Sequence, residues 1–144
     1  MKTITLFFLI LLSNLRLIAQ NVLISNQYNP SEPSIMIDPK NPNILIAGAN
    51  LNNYYVSIDS GYTWIQKILS SSLGVWGDPT ISVDTASNFY FFHLSNPPSG
   101  NWIDRIVCQK TTNNGSSWTD GSYIGLNGKK KQDKHWCADR KSVV

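Results

Sequence analysis

Short apolar stretches, separated by turn residues, follow one another along most of the chain. Predicted strands cover residues 34–37, 44–49, 54–57 and 64–69, and then residues 80–83, 89–94, 106–110 and 122–126. They are rich in β-branched and aromatic residues, and Asp-Pro, Asn-Pro and Asn-Asn pairs mark the turns between them. No helical periodicity appears after residue 20. The pattern predicts an all-β protein with two four-stranded antiparallel units.

The chain contains an internal repeat that matches this division into units. An acid, a short apolar stretch and a second Asp six residues after the acid recur in residues 32–38, 78–84 and 133–139. The copies open at Glu32, Asp78 and Asp133, so each unit holds roughly 50 residues, which suits a four-stranded blade. The third copy predicts the first strand of a third unit.

A second motif recurs in phase with the first, in residues 57–64 and 111–118. Both copies read hydroxyl, any residue, Asp or Asn, any residue, Gly, any residue, hydroxyl, Trp. The constrained positions are Ser57, Asp59, Gly61, Thr63 and Trp64 in the first copy, and Thr111, Asn113, Gly115, Ser117 and Trp118 in the second. The motif resembles the Asp-box, or bacterial neuraminidase repeat, of the sialidase-like β-propellers.

The residue types of the box suit a hairpin turn. Asp59 or Asn113 supplies a side-chain acceptor for backbone N–H groups of the turn, and Gly61 or Gly115 tolerates a positive φ. The Trp begins the outgoing strand and can wedge between neighbouring sheets. We therefore interpret the box as structural and its Asp as non-catalytic.

The resemblance implies an incomplete β-propeller over residues 20–144. Blade one covers about residues 30–70, blade two about 76–127, and a third blade starts at 133–144. Propellers close with roughly four to eight blades. We therefore expect the remaining blades in a longer chain of which this is the amino-terminal part; the alternative is that several copies assemble into one ring.

The first 19 residues have the features of a secretory signal peptide. Lys2 precedes an apolar run from Ile4 to Leu12, and the segment ends at Ala19. The run is too short to span a bilayer, so a retained anchor is the less favoured alternative. The expected mature protein is secreted, extracellular or at the cell surface, with no membrane span.

Charge and cysteine content narrow the classes of partner. The chain has 12 basic and 9 acidic residues, and Lys2 and Arg16 fall within the leader. The lysines near the carboxyl end favour a solvated loop over a nucleic-acid patch, because no stacking aromatics interleave them. Cys108 and Cys137 are either a disulfide or two separate apolar side chains. No metal or other cofactor is expected.

Strand parity places the chemically interesting residues on one face. If the boxes turn strand three into strand four, the other loops form the opposite face, which we call the loop face. It is predicted to carry Glu32, residues 50–53, Trp76, Asp78, Trp102, Asp104, Arg105, Asp133, Lys134 and His135.

Two interpretations of these side chains stay open. Asp78 and Asp133 are either the acid and its partner in glycoside hydrolysis or turn caps that recur because the blade recurs. Trp76, Trp102 and His135 either stack on sugar rings or fill space between blades. Glu32, Trp102, Asp104 and His135 are candidates for ligand contact, and Arg105 is a weak catalytic candidate beside the two acids.

The resemblance to sialidases implies exo-hydrolysis of terminal sialic acid by three arginines, a Tyr nucleophile with its Glu, and an Asp acid. After the leader only Arg105 and Arg140 are present, and Glu32-Pro33-Ser34 stands where an Arg-Ile-Pro-like motif is expected. We expect the front part of a secreted sialidase-like glycoside hydrolase that acts on glycans or glycoproteins, inactive by itself. The alternatives are a non-catalytic propeller that binds glycans or proteins, and an inactive truncated product.

Overall fold

A computed structural model describes residues 21–126 and 130–138, which contain eight β-strands and no helix. The strands are β1 (Ser34–Ile37), β2 (Leu45–Ala49), β3 (Asn53–Ser57), β4 (Ile65–Ile68), β5 (Gly77–Val83), β6 (Phe89–Leu94), β7 (Arg105–Thr111) and β8 (Ser122–Gly125). The all-β prediction is confirmed. The predicted leader, residues 1–19, and residues 139–144 of the third unit lie outside the described residues.

The strands form two four-stranded antiparallel sheets, as predicted, each in simple sequence order. β1 to β4 make the first sheet and β5 to β8 the second. The turn after β1 and the turn after β5 lie side by side, since Ser87 Oγ donates to Asp38 Oδ1 at 2.8 Å. At the opposite ends the Asp78 N–H donates to Asn50 Oδ1 at 2.6 Å. The two box turns therefore share one face of the molecule, and the loop face lies opposite.

The main core lies between the two sheets. Ile46, Tyr54 and Val56 of the first sheet pack with Ile81, Phe89 and Phe91 of the second sheet. Gly48 keeps this contact close, because a Cβ there would lie 2.7 Å from the Phe91 ring. On its other face the first sheet carries a smaller cluster of Ala47, Ala49 and Tyr55, against which Ile24 and Trp64 pack.

The third unit is represented by residues 130–138, in which no strand is formed. They nevertheless lie against the free face of the second sheet. Thr80 Oγ1 donates to the carbonyl of His135 at 3.1 Å, and the His135 ring packs on Phe92 with centroids 6.3 Å apart. The segment thus occupies the place relative to the second sheet that β5 occupies relative to the first.

Candidate functional site

The first box forms a hairpin turn held by its own side chains. Asp59 Oδ1 accepts the Thr63 N–H at 2.9 Å, and Asp59 Oδ2 accepts the Thr63 hydroxyl at 2.6 Å. Ser57 Oγ accepts the Gly61 N–H at 2.8 Å. Gly61 has a φ of +87°, which a glycine adopts without steric cost. Trp64 Nε1 closes the turn by donating to the Gly61 carbonyl at 3.0 Å.

The second box repeats this arrangement with Asn in place of Asp. Asn113 Oδ1 accepts the Ser117 N–H at 2.9 Å, and Asn113 Nδ2 donates to the Ser117 hydroxyl at 2.8 Å. Thr111 Oγ1 accepts the Gly115 N–H at 3.1 Å. Trp118 then wedges between the sheets, with edge-to-face contacts to Tyr54 at 5.7 Å and Phe91 at 5.9 Å.

These bonds assign Asp59 a structural task. The Thr63 hydroxyl and amide, with the Ser57 hydroxyl, hold the pKa of Asp59 below its usual value. The carboxylate is therefore charged and engaged at neutral pH. An amide fills the same role at Asn113, so the turn needs an acceptor oxygen and not a titratable acid.

On the loop face, one residue with a left-handed backbone opens each unit. These residues are Glu32 (φ 51°), Asp78 (φ 52°) and Lys134 (φ 43°). In the second and third units, the residue after this left-handed residue packs against the preceding sheet. Pro79 lies against Gly48, and His135 lies against Phe92. Gly48 and Phe92 are equivalent, because they pair with Ser34 and Thr80 respectively.

This geometry corrects the predicted ring of three carboxylates. The third opener is Lys134, one residue beyond the expected Asp133, and Asp133 is exposed. The Lys134 ammonium lies 3.9 Å from the Glu32 carboxylate. The position equivalent to the two acids is therefore occupied by a cation. Sequence alignment missed this exchange because the apolar stretch of the third unit can be aligned in either register.

Glu32 and Asp78 lie near each other at the junction of the first two units. The neighbouring Asp78 carboxyl raises the pKa of Glu32. Asn50 bridges the pair, donating to Glu32 Oε2 at 3.1 Å while accepting the Asp78 N–H at 2.6 Å. Through these two bonds Asn50 joins the start of the first unit to the start of the second.

Asp104 and Arg105 form a salt bridge with two hydrogen bonds. Arg105 Nε and Nη2 donate to the two Asp104 oxygens at 2.6 and 2.8 Å, and Ser95 Oγ adds a bond at 3.0 Å. The Arg105 guanidinium is the main cause that lowers the pKa of Asp104 to about 2. Asp104 is 3% exposed, and the guanidinium also lies 4.7 Å from the Tyr123 ring centroid. Neither side chain is free to grip a ligand, in contrast to the expectation for both.

Trp102 forms an aromatic ledge with Trp76 on the loop face. Their rings meet edge to face at 5.2 Å, and they are 41% and 36% exposed. Lys131 Nζ lies over the Trp102 ring, 4.0 Å from its centroid, so a positive charge covers one face of that ring. His135, by contrast, is buried against Phe92, and burial lowers its pKa. Of the three predicted stacking residues, Trp76 and Trp102 are partly exposed and His135 is not.

Metal and thiol chemistry find little support in the described part of the chain. There, no three His, Cys, Asp or Glu side chains group closely enough to hold a metal ion. Cys108 and Cys137 are both free thiols, and burial raises the pKa of each.

Within residues 21–126 and 130–138 there is also no helix with the length and apolarity to cross a membrane.

No family model matches the chain, and no curated protein matches it. The resemblance to Asp-box proteins therefore rests on the two box motifs and on the geometry described above.

Proposed function

We propose that this chain forms two consecutive blades of an exported, sialidase-like Asp-box β-propeller whose loop face binds glycans. The observation that carries the proposal is the half-exposed Trp76–Trp102 ledge, with Lys131 beside it, on the face opposite the structural boxes. Aromatic rings with a few polar groups around them are the usual lining of small-ligand sites.

The propeller part of the proposal is supported by the repetition of one junction. β5 packs on β1 and β2 of the first sheet, and the 130–138 segment packs on the second sheet through the equivalent pair Phe92 and His135. Units that stack with the same relative rotation generate a ring or a superhelix. The antiparallel order of each sheet and the shared face of the box turns favour the ring.

Binding accounts for the site better than hydrolysis does. Arg105 is occupied by Asp104, so it does not contribute to an arginine grip on a sugar carboxylate. Asp133, the expected partner of Asp78 in glycoside hydrolysis, is exposed, and Lys134 takes the position equivalent to Asp78. Sialidase activity, which the resemblance implies for a complete protein, would depend on residues other than those described.

A binding experiment on the full chain tests the proposal. Saturation-transfer NMR with a panel of neutral and sialylated oligosaccharides should detect at least one ligand. Trp102→Ala should weaken that ligand about tenfold, because a stacking surface is lost. Tyr62→Ala is the matched control, since Tyr62 is 75% exposed on the box face and should not affect binding. The absence of any ligand would contradict the proposal, as would a panel in which no bound oligosaccharide is weakened by Trp102→Ala.

A further inference from the structure

A cleft lies on the loop face beside the first sheet. It has a volume of about 560 Å³ and is lined by residues 28, 29, 31, 50–53 and 68. The volume falls within the range of about 300–1,000 Å³ that is usual for small-molecule sites. Tyr28 and Asn29 precede the first copy of the acid repeat, so no sequence motif marks them.

The lining of the cleft combines one exposed aromatic ring with several amide groups. Tyr28 is 73% exposed, and Asn29 stands next to it at the rim. Both residues hold a left-handed backbone, with φ of 60° and 48°. The bulky Tyr28 is uncommon in that conformation, and here it leaves the ring in solvent at the mouth of the cleft.

The amide groups at the other side of the cleft are held in fixed orientations. Asn53 donates to the Asn50 carbonyl at 3.0 Å and accepts from Gln66 at 2.9 Å. Asn52 donates to the Leu69 carbonyl at 3.4 Å. Asn53 is 4% exposed and holds the loop in place, whereas the partly exposed Asn52 and the exposed Asn29 can offer amide groups to the hydroxyls of a sugar.

The charge of the cleft indicates which sugars it would take. None of its lining residues is charged, and Asn50 at its floor is bonded to the Glu32 carboxylate. An anionic sugar would meet no cation among the lining residues, and nearby Lys134 is paired with Glu32 at 3.9 Å. We infer that this cleft is a subsite for a neutral sugar ring, which stacks on Tyr28 and bonds to the amides. The inference rests on the proposed glycan-binding function and deepens it.

The test uses the full chain and four neutral disaccharides: lactose, maltose, cellobiose and N,N′-diacetylchitobiose. Saturation-transfer NMR titrations should show binding of at least one. Tyr28→Ala should weaken that sugar about tenfold, since an aromatic contact is lost, whereas Tyr28→Phe should stay within about twofold of the parent. Tyr62→Ala again serves as the control on the box face. Because Tyr28 is exposed, its substitution should leave the denaturation midpoint unchanged.

Three results would overturn the inference. They are no binding of any of the four sugars, binding that is unchanged in Tyr28→Ala, and Tyr28-dependent binding of 3′-sialyllactose that is tighter than that of lactose. Trp102→Ala separates this failure from failure of the proposed function. A ligand that depends on Trp102 but not on Tyr28 would refute only the neutral subsite.

Discussion

The two box tryptophans provide a matched test of how the sheets are held together. Trp118 lies between the sheets against Tyr54 and Phe91, whereas Trp64 covers a small cluster on the outer face of the first sheet. Trp118→Ala should remove about 100 Å² of apolar burial, or about 2.5 kcal/mol, and edge-to-face contacts worth about 1 kcal/mol. We expect a total loss of about 3.5 kcal/mol.

Trp64→Ala should cost only about half as much free energy of unfolding, because the Trp64 ring has protein on one side only. The hydrogen bond from its indole N–H to the Gly61 carbonyl contributes little net stability. Urea unfolding followed by far-UV circular dichroism measures both variants without relying on tryptophan fluorescence. The expected order is parent, Trp64→Ala, Trp118→Ala. Equal losses, or a larger loss for Trp64→Ala, would refute the conclusion that Trp118 fills the seam between the sheets.

Three further predictions concern the turn acid, acid stability and export. Asp59→Ala should lower the denaturation midpoint more than Asp59→Asn, because only the amide still accepts the Thr63 N–H; equal losses would argue against the turn role. The folded-state pKa of Asp104 is depressed to about 2, so its contribution to stability is present above about pH 4 and is lost as pH falls towards 2. Asp104→Asn should flatten that part of the stability profile, and an unchanged slope would contradict the assignment. Mass spectrometry of exported protein should find Gln20 at the amino terminus, and retention of residues 1–19 would disprove the signal peptide.

The strand pattern could be predicted well because apolar alternation and turn residues are local signals. The predicted bounds of β1 and β6 match the structure, and the other strands differ at their ends. β5 begins at Gly77, earlier than expected, because a register irregularity between Gly77 and Thr80 admits Asp78 and Pro79 into the strand. A proline normally argues against a continuing strand, and the sequence does not reveal such an irregularity.

The candidate site was harder to predict because its contacts join residues from different units. Lys134, and not Asp133, is equivalent to Glu32 and Asp78, because the third unit is shifted by one residue from the expected alignment. The packing of His135 on Phe92 reveals this shift. The sequence pattern also gives no sign of the salt bridge between Asp104 and Arg105. Neighbouring residues on a strand point to opposite faces, but Asp104 precedes β7, and its side chain turns back towards the arginine.

The position of the box tryptophan gives the stack of sheets a direction. Trp118 belongs to the second unit, yet it fills the space against Tyr54 of the first unit, and Trp64 lies on the corresponding face of its own sheet. Each unit therefore encodes the filler for the seam on its amino-terminal side and depends on its successor for the other seam. A duplicated unit would bring its own wedge to a new neighbour, so that an array of such units can grow by gene duplication without a coordinated change in the preceding copy.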